Sequence, residues 1–346
     1  MHMSVEHTAT PGWIAQLRHK LEPVIGAYRE IPVLGPLSGL ILLVVFFSLK
    51  SSVFFTYDNF SNILNQVMEV GTLAVGQTLI IVTAGIDLSN GAIMVFASVV
   101  MAKLATGEAS QGGALGIPVP LAIFVGLALA CGLGLINGSI VSWVRLPPFI
   151  VTLGMLNVAA SSTLLYTGSA SVTNLPSGLL FLGNSFTVAG KMVQVGPLVM
   201  LGVVAITWYA LRQTAWGKHV YAVGNNLEAA RLTGIDTTRL LLSVYLAAGF
   251  IYGIAALLVL GRTTTGDPLA GQTDNLDSIT AVVIGGTSLF GGRGTVIGTL
   301  IGALIVGVIR NGLTLINVDA LWQTFATGIL VIVAVAIDQA TRRRSR

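Results

Sequence analysis

The stretch "TAGIDLSNGAIMV", residues 83–95, places an aspartate inside what otherwise reads as a continuous apolar run. On insertion scales an aspartate at the centre of a membrane helix costs roughly 2.5–3.5 kcal/mol. Asp87 is therefore a substrate contact, a helix cap or a turn at the lipid surface. The choice depends on where each apolar segment starts and stops.

Composition sets the solvent. The 346-residue chain is 54% hydrophobic and 9% charged, with a mean hydropathy of +0.85. An ordinary soluble domain is about 25% charged. Apolar runs recur from Leu34 almost to the C-terminus, which describes an all-α polytopic membrane protein. The 41 glycines suit helices that pack backbone against backbone. The net charge of +4 is scattered between apolar spans, where Lys and Arg act as topology signals, so no nucleic-acid partner is expected. The single Cys131 permits no internal disulfide.

At about twenty apolar residues per crossing, ten helices are expected, near 34–54, 61–84, 88–106, 117–142, 148–167, 195–213, 238–260, 276–291, 295–314 and 320–338. The eighth and ninth are interrupted by "GGTSLFGGRG". With the N-terminus cytoplasmic, thirteen Lys and Arg fall inside, including Arg145, Arg212, Lys218, Arg231, Arg239 and the RRRSR tail. Five fall outside: Lys50, Lys103, Lys191, Arg262 and Arg310. That bias favours both termini inside. Helices 2–5 and 7–10 then start on opposite sides, as an inverted repeat requires. Residues 1–33 read as a cytoplasmic leader rather than a cleaved signal, 34–338 as one transmembrane domain, and 339–346 as a basic cytoplasmic tail. Within the leader, Trp13, Ile14, Leu17, Leu21, Val24 and Ile25 follow the spacing of an amphipathic surface helix.

Three long connections stand out, at 168–194, 214–237 and 261–275. In the second, Asn225 or Asn226 caps a short helix whose first turn carries Glu228. Ala229, Ala230, Arg231 and Leu232 continue it, and Gly234 stops it. A helix of about two turns is not stable alone in water, so this one lies against lipid or a partner protein.

"GNNLEAARLTGI" resembles the cytoplasmic coupling segment, here residues 225–236, of permease subunits in bacterial ABC importers. "AVGQTLIIVTAGIDLSNGAIM" and "LDSITAVVIGGTSLFGGRGTVIGTLIGALIVGVIRNGL" resemble two further segments of the ribose/xylose/galactose branch of binding-protein-dependent inner-membrane components. The likeness runs from about residue 35 to 338. It implies a non-enzymatic, multi-pass subunit of the bacterial inner membrane that works as a pair, as a homodimer or a heterodimer. It further implies a cytoplasmic ATP-binding subunit that holds ATP-Mg and a periplasmic sugar-binding protein, with a pentose or hexose as cargo. This chain lacks G-x-x-x-x-G-K-[ST]; Gly286-TSLF-Gly291 is followed by Gly292-Arg293, with neither lysine nor hydroxyl for phosphate and Mg²⁺. No cofactor is expected on it.

Polar residues inside the spans are the candidates for a substrate path: Gln66, Glu69 and Gln77 on one face of helix 2, Asp277 and Thr280 on helix 8, and Asn311 on helix 9. The competing reading of each is interhelical hydrogen bonding that holds the bundle together. Asn62, Thr287, Thr314, Gln323 and Thr327 extend these rows. Tyr166, Phe181 and Trp322 serve equally as stacking platforms or interfacial anchors. No metal-ligand cluster, HExxH or nucleophile elbow is present, so neither a metal site nor a catalytic residue is assigned. An ion-coupled secondary transporter titrating Glu69 or Asp87 is the alternative class. An ABC permease for a nucleoside or branched-chain amino acid is the alternative cargo. By this topology Gly85 allows a turn near the inner face, and Asp87, Ser89 or Asn90 caps helix 3 there or gates an inner path.

Overall fold

The computed structural model describes residues 33–106 and 116–344. The amphipathic leader lies outside them, as do side chains of the basic tail. Among the described residues twelve α-helices run α1 (Leu34–Lys50), α2 (Tyr57–Val82), α3 (Asn90–Ala105), α4 (Val119–Ser139), α5 (Pro148–Thr167), α6 (Val195–Gln213), α7 (Ala215–Asn225), α8 (Leu227–Leu232), α9 (Thr237–Thr263), α10 (Asp274–Ile284), α11 (Val296–Leu315) and α12 (Ala320–Arg344). Five among the described residues are long and apolar enough to cross a membrane: α4 with its π-helical extension Ile140–Val144, α5, α6, α9 and α11. α1 and α3 are shorter apolar helices.

Large apolar side chains such as Leu42, Phe124, Leu165, Ile206 and Ile332 face outward, the surface of a body solvated by lipid tails. Inside, α9 is the axis and packs on α4 and α2. It buries Tyr245 and Tyr252 completely, and its Gly249 meets α4 so closely that a Cβ there would lie 2.5 Å from the Ala130 carbonyl oxygen. Small residues at such crossings let backbones touch, which is how helices adhere without a hydrophobic driving force.

Several predicted elements are corrected. Segment 276–291 is not a spanning helix. α10 has 11 residues, about 16 Å at 1.5 Å per residue against a hydrocarbon core of about 30 Å. It ends in a Schellman turn: Gly286 takes φ +88°, its N–H bonds Val283 O, and Thr287 N–H bonds Val282 O. Residues 261–275 and 168–194 are not plain loops either. The second contains the antiparallel hairpin β1 (Ser185–Val188) and β2 (Lys191–Gln194), and the two segments are bridged through Val172 and Gly266. The Tyr57 hydroxyl donates to Met192 O (2.7 Å), so the hairpin sits over the start of α2. This end is the hairpin end, and the opposite end, carrying α7 and α8, the short-helix end.

The connection 214–237 holds two helices where one was expected. The sequence does not announce α7, because its pattern is short and interrupted by Gly217 and Gly224. Thr214 caps it by accepting from Gly217 N–H. Its glycines allow contact with its neighbours: a Cβ on Gly224 would fall 2.8 Å from Gly292 N and closer still to the Val82 carbonyl.

Candidate functional site

α2 ends as α10 does. Ala84, not Gly85, takes the left-handed turn at φ +62°, with Ala84 N–H bonded to Ile81 O and Gly85 N–H to Ile80 O. The chain then doubles back beside α2, unwound from Gly85 to Ser89, before α3 begins at Asn90. The boundary therefore lies inside the protein. Asp87 is 1% exposed and reaches Tyr252, in the middle of α9.

Unwound backbone at this depth is tolerated only where protein satisfies it, and side chains from α2, α5 and α10 do so. Gln77 clamps Asp87 in the amide orientation that satisfies both partners, accepting from its N–H (3.1 Å) and donating to its carbonyl (3.0 Å). Thr152 donates to Ile86 O (3.0 Å) and Asn275 to Leu88 O (3.2 Å). The Asp87 carboxylate accepts from Ser89 N–H (2.8 Å), Ser89 Oγ (2.6 Å) and Tyr252 Oη (3.2 Å). Asn137 donates to Ser89 Oγ (3.0 Å), and Asn90 to Ser278 Oγ (2.7 Å). Asp87 thus holds the unwound segment in shape rather than reaching the free N–H groups of α3. Ser89 makes no side-chain cap bond, and Asn90 takes only the Gly91 N–H.

Above this partition, toward the hairpin end, lies a cavity of about 270 Å³ lined by Gln66, Glu69, Arg262, Asp274 and Arg310. Arg262 binds Glu69 with both arms, Nε to Oε2 at 3.0 Å and an Nη to Oε1 at 2.6 Å. Arg310 bonds Asp277 at 2.5 Å. Asp274 is 6% exposed, and its Oδ2 has no partner among the described residues. Below the partition a cavity of about 610 Å³ opens at the short-helix end, lined by Thr83, Gly85, Arg145, Glu228, Arg231 and Tyr245 among others. No cluster of three or more His, Cys, Asp or Glu able to hold a metal exists among the described residues.

The residues named from sequence thus separate. Gln66 and Glu69 line the upper cavity, and Asp277 joins its charge cluster. Gln77 serves the unwound backbone. Thr280 bonds Leu276 O one turn back (2.6 Å). Asn311 is buried with Oδ1 unpartnered. Around α8, Asn226 caps by accepting from Ala229 N–H (3.0 Å), Ala230 is buried, and Glu228, Ala229 and Arg231 are exposed. Gly234 carries φ +90° in a third Schellman turn, its N–H on Arg231 O and that of Ile235 on Ala230 O.

Sequence reading missed Arg262, Arg310, Asp274, Tyr252 and Thr152. The two arginines were counted as outer-side charges, whereas both turn inward to carboxylates. Their signal was available: Arg310 stands within the apolar run of α11, and an ionisable group in a span marks a paired or functional position.

α7 connects this interior to α8. Tyr221 donates to Gly294 O (2.8 Å), Trp216 Nε1 to Ser243 Oγ (2.8 Å), and the Gly292 N–H beside α7 bonds Val82 O (2.9 Å). The end of α2, the turn that precedes α11 and the start of α9 therefore meet on one short helix.

Comparison with known proteins adds three relatives. The chain is 43% identical over 318 residues to the fructose import permease protein of Rhizobium meliloti, covering 90% of this chain and 86% of that one. It is 37% identical over 308 residues to the ribose import permease protein of Bacillus subtilis, covering 88% and 92%. With the xylose transport system permease protein of Escherichia coli it shares 30% over 376 aligned positions, covering 91% and 94%. A family model described as branched-chain amino acid transport system / permease component matches residues 59–335. No solved structure matches.

Proposed function

This chain belongs to the branched-chain amino acid transport system / permease component family, among its sugar importer permeases, and we propose that it moves a pentose or hexose by alternating access. The family's description names amino-acid cargo, but the relatives reported above are named for fructose, ribose and xylose. The observation that carries the reading is the partition: a bonded polar wall between two cavities that open at opposite ends. A path closed in the middle needs only small shifts of α2, α3, α9 and α10 to open to one side at a time.

In this reading the short-helix end is cytoplasmic, both termini lie there, and the chain makes ten passages. The eighth is α10 with the 285–295 turn. Removing the inward-facing Arg262 and Arg310 from the outer count strengthens the charge bias. The inverted repeat rests on topology and on the matching turns that end α2 and α10. The membrane is the bacterial inner membrane. A cytoplasmic ATPase subunit docks on α8 and hydrolyses ATP-Mg, a periplasmic binding protein docks on the hairpin end, and a second permease copy completes the importer. The coupling runs from α8 through α7 to the end of α2 and the turn between α10 and α11.

Proteoliposomes test this directly. With ATPase subunit and binding protein present, uptake of labelled D-fructose or D-ribose is expected to require internal ATP. Uptake by this chain alone under a proton or sodium gradient would overturn the reading in favour of an ion-coupled carrier.

A further inference from the structure

We propose that the cavity between α6, α7 and the start of α11 is a binding site for one anionic phospholipid. The cavity measures about 550 Å³ and is lined by Trp208, Arg212, Lys218, Tyr221, Thr295 and Ile297 among others. Among the described residues that line it there is no carboxylate. Among the described residues neither Arg212 nor Lys218 takes part in any of the three ion pairs; Arg212 instead lies over the Trp208 ring at 5.7 Å.

Position within the helix gives the ligand its shape. Leu198, Leu201, Ala205, Trp208 and Arg212 recur every three or four residues, so they share one face of α6. Leu198, Leu201 and Ala205 are exposed, and Trp208 half-exposed. The stripe runs about 21 Å at 1.5 Å per residue, longer than the roughly 15 Å of one leaflet's hydrocarbon. It ends at the two cations. Acyl chains on the stripe and a phosphate between Arg212 and Lys218 satisfy both halves of the cavity. Trp208 and Tyr221 stand at the level where such rings meet headgroups. Basic pockets between helices recognise anionic headgroups in this way. Tyr221 and Val296 also belong to the α7–α11 junction, so an occupied site braces the elements that link α8 to the interior. The inference does not depend on the cargo.

Native mass spectrometry of the purified full chain supplies the test, with phosphatidylglycerol and phosphatidylcholine of matched acyl chains. Two basic residues at about 1 kcal/mol each give roughly a 30-fold preference for the anionic lipid. Arg212→Gln/Lys218→Gln is expected to erase it, while Arg212→Lys/Lys218→Arg keeps it and shows that charge is what matters. Arg145→Gln/Arg231→Gln, in the other cavity at the same end, is expected to leave it unchanged. Equal retention of the two lipids by the wild type, or a preference surviving the Gln pair, overturns the proposal. So does displacement of the lipid by inorganic phosphate, which would make the site a simple anion site. A preference that appears only after deletion of residues 1–32 also overturns it, because the chain itself would then fill the cavity.

Discussion

Arg262→Ala exposes how the charge cluster is held. Glu69 has a 7% exposed side chain, and Arg262 satisfies both of its oxygens. Removing one partner of a buried pair costs about 3–5 kcal/mol, because the other charge stays buried without compensation. Arg262 is itself 35% exposed, so the lower figure, about 3 kcal/mol, applies. For a chain of 346 residues, an unfolding entropy of about 2.1 cal/mol/K per residue makes that a fall in Tm of about 4 °C. Helices that persist in the unfolded membrane state lower the entropy change, so the fall is at least that large. Glu69→Gln in the same background removes the orphaned charge, and the double variant is expected to recover more than half of the loss. Tryptophan fluorescence melting in detergent reads all three proteins. Wild-type melting of Arg262→Ala, or a double variant less stable than the single, would refute the pairing as the source of stability.

Two further outcomes follow from the geometry. Asp87→Ala leaves the Ser89 N–H, its hydroxyl and the Tyr252 hydroxyl without their acceptor. At about 1–3 kcal/mol for each buried group left unmade, the variant is expected to lose folded yield, whereas Tyr252→Phe, which removes a single 3.2 Å bond, keeps it; size-exclusion profiles decide. Glu228→Lys changes an exposed residue in α8, so the permease is expected to fold and melt like wild type but to lose co-purification with the ATPase subunit. An unchanged pull-down would count against α8 as the docking segment.

Local rules were readable where local physics dominates. The bounds 148–167 and 195–213 match α5 and α6, because each opens and closes at a change of polarity. Asn226 and Gly234 lie where capping and left-handed turn chemistry place them. The unwound segment was not readable. Periodicity shows that residues 61–84 and 88–106 are helical, but not that the chain folds back between them into the interior. That arrangement is maintained by Gln77, Thr152, Asn275 and Tyr252, from four different helices, whose convergence only the tertiary structure reveals. The same limit hid Arg262 and Arg310. Their carboxylate partners lie 193 and 33 residues away.

Separating polar groups that serve backbone from those that do not narrows the path. Gln77, Thr152, Asn275 and the Asp87 carboxylate are all engaged with residues 86–89, so a sugar hydroxyl could displace them only by breaking bonds that hold the unwound chain. Asp274 Oδ2 and Tyr245 Oη are different. Both are buried without a hydrogen-bond partner among the described residues, one in the lining of the upper cavity and one in that of the lower. An unmade bond of this kind costs about 1–3 kcal/mol in the closed protein, and the cost is relieved when the adjacent cavity widens and a hydroxyl reaches the group. The groups that touch residues 86–89 are bonded, while the side-chain oxygen of Asn137 in the same wall is left unpartnered among the described residues. Each cavity, in contrast, carries one unmade bond in its lining, Asp274 Oδ2 in the upper and Tyr245 Oη in the lower.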